Sequence, residues 1–354
     1  TFMARVLMKG TEAIAEAAIQ AGCRFFFGYP ITPQNEIPEY MSAHLPEIGG
    51  QFVQAESEVA AINMVLGGGA TGYRVMTTSS SPGISLMSEG ITYIAGSEIP
   101  AVVVNVMRGG PGLGSILPSQ ADYLQATKGG GNGDYNVIVL APSTLQEAVD
   151  LTQLAFDLSQ KYRILTMVLA DGFMGQMMEA VEIKPHHTEG LPDNTTWALG
   201  YMPERGGKRS HLKSLYLAPE ELEEHNRNLQ KKYAVIVDNE RRSENVMVDD
   251  ADLVISAYGT TARIARSALT NLRSKGYRVG MVRPISLWPF PYSAYEAIPK
   301  SAKGILVVEM NCGQMIDDVK IATKCAYPVS FYGRSGGMSP SVKEIEDACL
   351  KILG

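Results

Sequence analysis

The sequence predicts an α/β protein with two parallel-sheet domains, because short apolar runs alternate along it with stretches of helical period. The first domain is expected at residues 1–185 and the second at residues 251–354. Residues 186–250 between them are polar and charged, and predict a linker that carries one helix or, alternatively, a subunit contact. A chain of 354 residues is long for one domain and sufficient for two.

In the first domain predicted helices alternate with most of the predicted strands, the order that produces a parallel sheet covered by helices on both faces. The strands are predicted at 24–28, 51–54, 74–78, 101–108, 137–141 and 165–170. The helices are predicted at 10–22, 33–44, 57–67, 82–96 and 144–161.

The second domain repeats this pattern on a smaller scale, after a linker helix predicted at 219–233. Its strands are predicted at 253–258, 278–282, 304–309 and 329–332. A helix predicted at 261–275 places Ile264, Ala268, Leu269 and Leu272 on one face, as expected for a helix that covers a sheet.

Composition and charge exclude several classes of function. A net charge of -6 disfavours nucleic acid as a partner, because phosphate binding requires a basic surface. No apolar run is long enough for a membrane span, and residues 1–10 lack the layout of a signal peptide, so a cytoplasmic location without membrane contact is predicted. The four cysteines form no CxxC pair, which predicts no metal or iron–sulfur site on this chain.

Polar residues and flexible backbone follow several predicted strands of the first domain. The runs GYPITP (28–33), AESE (55–58) and RGGPG (108–112) each come directly after a strand. Ligands of open parallel sheets bind outside the carboxyl ends of the strands, so these runs are expected to form one site. A carboxylate, a guanidinium and several hydroxyls at that edge suit a bound organic anion.

A dinucleotide-binding loop is the alternative for the glycine-rich run after the fourth strand. The glycine spacing departs from G-x-G-x-x-G, Pro111 interrupts the turn, and no acidic residue ends the next strand. A nicotinamide-dependent dehydrogenase is therefore poorly supported. All five histidines lie outside these segments, so histidine acid–base catalysis is poorly supported too.

The runs GYPITP, QAESEVAA (54–61) and RGGPG, in this order and at these distances, resemble the α subunit of 2-oxoacid:ferredoxin oxidoreductases. The runs GGGNGDY (129–135) and VLAPST (139–144) are similar to the branched-chain, 2-oxoisovalerate type. The resemblance covers nearly the whole chain. It implies a pyrimidine-binding domain of thiamine-diphosphate enzymes, followed by a transketolase C-terminal-like domain.

The resemblance also implies roles for individual residues. Glu58 matches the glutamate that bonds N1′ of the thiamine aminopyrimidine and favours the tautomer in which the cofactor acts as its own base. Thr32 and Arg108 match residues that approach the carboxylate of the substrate. Tyr29 and Pro30 are expected to line the substrate pocket and Ile31 to contact the cofactor, and these six positions contain every predicted site residue.

Other residues needed for the reaction are expected on partner subunits. In this superfamily the diphosphate and Mg²⁺ bind a GDG motif followed by an asparagine, whereas here Asp171-Gly172 follows Ala170 and lacks that asparagine. The resemblance therefore implies a beta subunit with the diphosphate and Mg²⁺ site, a gamma subunit and, as a further candidate, a ferredoxin-like delta subunit. It also places [4Fe-4S] clusters on the partners, with coenzyme A as co-substrate and ferredoxin as electron acceptor.

The implied reaction is coenzyme A-dependent oxidative decarboxylation of a 2-oxoacid to an acyl-CoA. The loop after Arg108 has no Lys or Arg before Lys128 and offers Leu113, Ile116 and Leu117 beside two serines, Ser115 and Ser119, which favours a branched apolar substrate tail. The alternatives are 2-oxoglutarate or pyruvate as substrate, a non-redox thiamine-dependent decarboxylase subunit, and a regulatory module with an inactive site.

Overall fold

The computed structural model describes residues 5–200, 203 and 206–354. Residues 1–4, part of the segment without a signal-peptide layout, lie outside this description, as do residues 201, 202, 204 and 205 of the predicted linker. A seven-stranded sheet forms the first half of the protein, and all of its strand pairs are parallel except that of β12 with β6. In spatial order its strands are β12 (Ser286–Trp288), β6 (Ile138–Leu140), β7 (Leu165–Asp171), β5 (Ala101–Met107), β4 (Val75–Ser79), β2 (Phe25–Gly28) and β3 (Gln51–Gln54).

Helices cover both faces of this sheet, because its central strands are apolar throughout. Strand β5 is wholly buried; Val103 and Met107 join the core on one face, whereas Val102 and Val104 join the core on the other. Helices α3 and α4 contribute to the first core, and α1, α2 and α6 to the second. The helices of this half are α1 (Gly10–Gln20), α2 (Glu36–His44), α3 (Glu58–Ala70), α4 (Ser81–Gly96), α5 (Tyr123–Thr127), α6 (Leu145–Tyr162) and α7 (Gly172–Gln176).

A five-stranded sheet forms the second half, parallel except for the pairing of β9 with β11. Its strands in spatial order are β14 (Val329–Gly333), β13 (Gly304–Glu309), β10 (Leu253–Ser256), β11 (Val279–Pro284) and β9 (Ser243–Val246). Its helices are α9 (Gly259–Ser274), α10 (Ile316–Ala322) and α11 (Val342–Leu353). The predicted face of α9 is confirmed, since Ala268, Leu269 and Leu272 are buried in the core of this half.

Three further elements lie outside the two larger sheets. Helix α8 (Pro219–Asn239) buries Tyr233 and Ile236 against the larger sheet, so the helix predicted within the linker is a packed part of the fold. Strand β1 (Val6–Lys9) pairs antiparallel with β8 (Met178–Val181) beside the larger sheet. Short 3₁₀ helices occur at Pro46–Ile48, Asn194–Thr196 and Tyr292–Ala297.

Strands β9 and β12, each of which adds an antiparallel strand at the edge of a sheet, were not predicted from the sequence. Strand β9 comes from the segment for which only a helix was predicted, and β12 follows β11 in sequence yet pairs with β6 in the other sheet. None of the described helices combines the length and the apolar content needed to cross a membrane.

Candidate active site at the carboxyl ends of the strands

The predicted site residues lie at the carboxyl ends of β2, β3 and β5, and β4 lies between β5 and β2 in the larger sheet. Thr32 follows β2, Glu58 begins the helix after β3, and Arg108 directly follows β5. The structure thus brings together residues that are 26 to 76 positions apart in sequence. The turns that follow these parallel strands lie at the same edge, which is the arrangement expected for an open parallel sheet.

Glu58 is a buried carboxylate at the start of α3. Ser57 caps this helix by accepting a hydrogen bond from the Ala60 amide at 3.2 Å, which fixes the first turn and the direction of Glu58. Glu58 is only 5% exposed, yet no described residue donates a hydrogen bond to its carboxylate. Glu56, two residues earlier, is exposed, as expected from the sequence.

Gly83 in the first turn of α4 leaves the space that Glu58 occupies. A Cβ atom at position 83 would lie 2.7 Å from Oε1 of Glu58 and 2.0 Å from Oγ of Ser79. Contacts this short do not occur, so any side chain at this position would displace Glu58 or Ser79. The hydroxyls of Ser79 and Ser80 are buried and have no hydrogen-bond partner among the described residues.

Arg108 is buried and joins two loops. Its Nη1 donates to the carbonyl of Thr32 at 3.0 Å, and its Nη2 donates to the carbonyl of Leu113 at 3.1 Å. Nε is buried without a partner among the described residues. Each terminal nitrogen carries a second hydrogen, so the guanidinium retains donors for an anion. Arg108 is 7% exposed, so it is not a surface charge at the end of the strand.

A buried polar network fixes the backbone of Arg108. The Arg108 amide donates to Oγ of Ser81 at 3.0 Å, and this hydroxyl donates to Oδ2 of Asp122 at 2.6 Å. Asn105 donates to the same carboxylate oxygen at 2.9 Å. Burial raises the pKa of Asp122. Ser81 belongs to the same helical turn as Gly83, so one turn of α4 contacts both Glu58 and Arg108.

The turn that carries Thr32 is anchored by Gln34, which is fully buried. Gln34 donates to the carbonyl of Tyr29 at 3.1 Å and accepts from the hydroxyl of Thr78 in β4 at 2.5 Å. Thr32 and Pro30 are exposed, whereas Tyr29 and Ile31 are half-buried.

The sequence did not single out Gln34, Ser81, Asn105 or Asp122. Their only signal is that polar residues occur in otherwise apolar or glycine-rich stretches next to the motifs.

The segment 109–117, which we call the arginine loop, exposes large apolar side chains beside this edge. Leu113, Ile116 and Leu117 are 83%, 61% and 51% exposed. Ile116 and Leu117 line a cleft of about 430 Å³ that also reaches Thr32 and Phe173. Ser119 was predicted beside these residues, but it is buried and donates to the Met310 carbonyl of the second half at 3.2 Å, so this part of the prediction was wrong.

Comparison with known proteins agrees with this fold. Residues 16–236 match the family described as pyruvate flavodoxin/ferredoxin oxidoreductase, thiamine diphosphate-binding, and residues 251–345 match core domain II of pyruvate:ferredoxin oxidoreductase. The fold class predicted from the sequence, a pyrimidine-binding domain followed by a transketolase C-terminal-like domain, is confirmed.

The chain is similar to individual members over most of its length. It is 47% identical to ketoisovalerate oxidoreductase subunit VorB of Methanothermobacter marburgensis over 352 residues, covering 99% of both chains. It is 37% identical to 2-oxoglutarate synthase subunit KorA of Methanocaldococcus jannaschii, covering 97% of this chain and 98% of the relative. A solved 2-oxoglutarate:ferredoxin oxidoreductase of Magnetococcus marinus matches with a TM-score of 0.83 at 27% identity; the match covers 99% of this chain but 66% of that one.

The fold, the free carboxylate and these matches define a subunit of a thiamine-diphosphate-dependent enzyme. The chain belongs to the 2-oxoacid:ferredoxin oxidoreductase family.

The residues at the strand ends fit the aminopyrimidine of thiamine diphosphate. That ring presents nitrogen donors and acceptors. The strand ends offer it the Glu58 carboxylate and the Ser79 and Ser80 hydroxyls, none of which has a hydrogen-bond partner among the described residues. The space kept open at Gly83 leaves the Glu58 carboxylate free of protein contacts that would block it. For the diphosphate, the described ranges contain no group of three or more His, Cys, Asp or Glu residues placed to hold a metal ion.

Proposed function

We propose that this chain, assembled with partner subunits, catalyses the coenzyme A-dependent oxidative decarboxylation of branched-chain 2-oxoacids such as 2-oxoisovalerate, with reduction of ferredoxin. The observation that carries the proposal is the position of Glu58, a largely buried residue whose carboxylate receives no hydrogen bond from the described residues. It lies against Gly83, in the same helical turn as Ser81, which contacts Arg108. The carboxylate is therefore available to accept a hydrogen bond from a ligand.

In this proposal Glu58 accepts a hydrogen bond from N1′ of the aminopyrimidine and shares the proton at that atom. Ile31, half-buried in the turn after β2, contacts the same ring. Thiamine diphosphate supplies a nucleophilic carbon and an electron sink for the decarboxylation. The carboxyl–histidine pairs used by other enzymes are unnecessary because Glu58 controls protonation of the cofactor itself.

Arg108 and Thr32 bind the carboxylate of the 2-oxoacid. The second hydrogens on the two terminal nitrogens of Arg108 donate to the anion in one plane, which suits a carboxylate. The hydroxyl of Thr32 adds a donor from the exposed turn that Arg108 already contacts. Tyr29 and Pro30 line the pocket beside this turn.

We further propose that a beta subunit supplies the diphosphate and Mg²⁺ site, because this chain lacks the GDG and asparagine motif. Iron–sulfur clusters of the [4Fe-4S] type then lie on partner chains, including a gamma subunit and a ferredoxin-like delta subunit, and coenzyme A is the co-substrate. Within this proposal we keep the division of the chain into a pyrimidine-binding domain (1–185), a linker (186–250) and a transketolase C-terminal-like domain (251–354). We also keep a cytoplasmic location.

The branched-chain substrate is favoured by the arginine loop and by the relatives. Leu113, Ile116 and Leu117 are exposed at the proposed site and bring no positive charge for a second carboxylate. The relative named for ketoisovalerate is 47% identical, against 37% for the one named for 2-oxoglutarate. Burying an unpaired distal carboxylate costs far more than each buried methylene gains, about 0.8 kcal/mol, so 2-oxoglutarate should be discriminated against more strongly than pyruvate.

The test is substrate specificity of the assembled complex. We expect kcat/KM to be highest for 2-oxoisovalerate, modestly lower for pyruvate and much lower for 2-oxoglutarate, measured by reduction of ferredoxin. The isolated chain is the control and should give no steady turnover. A clear preference for 2-oxoglutarate would contradict the substrate assignment, and turnover by the isolated chain would contradict the division between subunits.

A further inference from the structure

Two glycines of the second half, Gly336 and Gly337, lie in direct contact with the arginine loop. A Cβ atom on Gly337 would lie 2.6 Å from Cβ of Leu117 and 3.1 Å from Oγ of Ser115. A Cβ atom on Gly109 would lie 3.0 Å from the carbonyl carbon of Gly336 and from the amide nitrogen of Gly337. The two backbones therefore approach so closely because glycine occupies the contact on both sides.

The arginine loop is internally bonded, so a displacement at Leu117 reaches the residues around Arg108. The Gly109 amide donates to the Leu117 carbonyl at 2.9 Å, and the Ser115 amide donates to the Gly109 carbonyl at 2.8 Å. The Leu117 amide donates to Oγ of Ser115 at 3.1 Å. Between these bonds lies Leu113, whose carbonyl accepts from Arg108.

The opposite side of the contact is fixed by the fold of the second half. The Arg334 amide donates to the carbonyl of Glu309 at 3.2 Å, and its side chain forms an ion pair with Glu344 at 2.5 Å. The Met338 amide donates to the Ser335 carbonyl at 3.2 Å and closes the turn that contains both glycines. The arginine loop is exposed along its Leu113 and Ile116 side, so under steric pressure it is the part that moves.

We propose that Gly336 and Gly337 are positioning residues for substrate recognition. Their backbone determines the position of the arginine loop. The loop in turn determines the position of the Leu113 carbonyl, which accepts from Arg108, and of the apolar side chains beside the bound 2-oxoacid. This inference rests on the proposed function, since it gives the second half a part in selecting the substrate. The expected consequence is a change in substrate binding with little change in the chemical step.

The experiment compares Gly337→Ala with Gly276→Ala in the assembled complex. Both glycines have left-handed backbones, with φ of +99° and +88°, so alanine introduces similar strain at either position. A Cβ atom on Gly276 meets no atom within 4 Å, whereas one on Gly337 collides with Leu117. Gly109→Ala adds a methyl group to the arginine-loop side of the contact with Gly336 and Gly337. The backbone of Gly109 lies outside the left-handed region, so this change adds no strain of that kind.

We expect Gly337→Ala and Gly109→Ala to raise KM for the preferred 2-oxoacid by about 10- to 10²-fold, the scale of one lost hydrogen bond to a charged group, with kcat nearly unchanged. Gly276→Ala should keep the wild-type KM and lower the melting temperature, but by less than Gly337→Ala, which adds a collision with Leu117 to the same backbone strain. The double variant Gly337→Ala/Leu117→Gly removes the colliding Cβ and should recover part of the lost affinity.

The outcomes separate this inference from the function on which it rests. A wild-type complex without 2-oxoacid turnover would overturn the proposed function and this inference with it. An active wild type whose KM is unchanged by both Gly337→Ala and Gly109→Ala would overturn the inference alone. A KM that rises equally in Gly276→Ala would also overturn it, because backbone strain and not the contact would then be the cause.

Discussion

Replacement of Glu58 by glutamine separates catalysis from stability more sharply than any other change in this chain. The substitution is nearly isosteric and removes the negative charge of the carboxylate that we propose accepts from N1′ of the cofactor. A lost acid–base partner costs about 10²- to 10⁴-fold in rate, so kcat of the complex should fall by that factor. The corresponding loss of transition-state stabilisation is about 2.7–5.5 kcal/mol.

Stability should change far less, for reasons visible at the start of α3. Glu58 receives no hydrogen bond from the described residues, so no protein contact is broken. The favourable interaction of its charge with the helix dipole, about 0.3–1 kcal/mol, is lost, while removal of an unpaired buried charge acts in the opposite direction. We therefore expect the free energy of unfolding to change by no more than about 1 kcal/mol.

The assay is hydrogen–deuterium exchange at C2 of thiamine diphosphate in the assembled complex, together with kcat and the urea midpoint. Glu56→Gln is the matched control, because Glu56 is an exposed carboxylate two residues away. Exchange should slow in Glu58→Gln and remain at the wild-type rate in Glu56→Gln. An unchanged exchange rate in Glu58→Gln would remove Glu58 from the mechanism.

Two further predictions concern buried carboxylates. Burial raises the pKa of Asp122 above its ordinary value of 3.8. The stability that this carboxyl contributes is therefore present below pH 3.8 and is lost as pH rises through the pKa of the folded state. Asp122→Asn should flatten this part of the pH profile of the urea midpoint. Asp318 is fully buried and accepts from Tyr123 at 2.5 Å and from Lys128 at 2.7 Å. Asp318→Ala should destabilise the protein by about 2–4 kcal/mol, measured by urea unfolding, with the share of half-exposed Lys128 discounted.

The controls for these two are available in the same chain. Asp317 is the exposed neighbour of Asp318, and its ion pair with Lys320 at 3.9 Å is weak. Asp317→Ala should therefore change the free energy of unfolding by less than about 0.5 kcal/mol. Equal effects of Asp317→Ala and Asp318→Ala would refute the role of the buried network. A pH profile of Asp122→Asn that matches the wild type would show that Asp122 does not titrate differently on folding.

Much of the fold followed from the sequence because the central strands are read from local patterns. The apolar run of β5, for example, predicts a parallel strand buried on both faces, and the strand is so placed. The site edge followed for the same reason, since Thr32, Glu58 and Arg108 each lie within four residues of the end of a strand.

What the sequence missed depends on contacts between distant segments. Strand β12 has only three residues, and its partner β6 lies far earlier in the chain, so no local pattern indicates the pairing. Ser119 was expected beside the substrate loop, yet its hydroxyl contacts Met310 of the second half. Gln34 gave no signal either, because a single polar residue shows its role only when Tyr29 and Thr78 are seen beside it.

These long-range contacts make the proposed anion site depend on both halves of the chain. Arg108 donates one hydrogen of each terminal nitrogen to a backbone carbonyl, that of Thr32 or that of Leu113. The orientation of the guanidinium plane therefore depends on two loops. The Thr32 loop is anchored to the larger sheet through Gln34, whereas the arginine loop lies against Gly337 of the second half. A guanidinium oriented in this way presents its remaining donors in one fixed direction, which favours a planar carboxylate over a mobile or differently shaped anion.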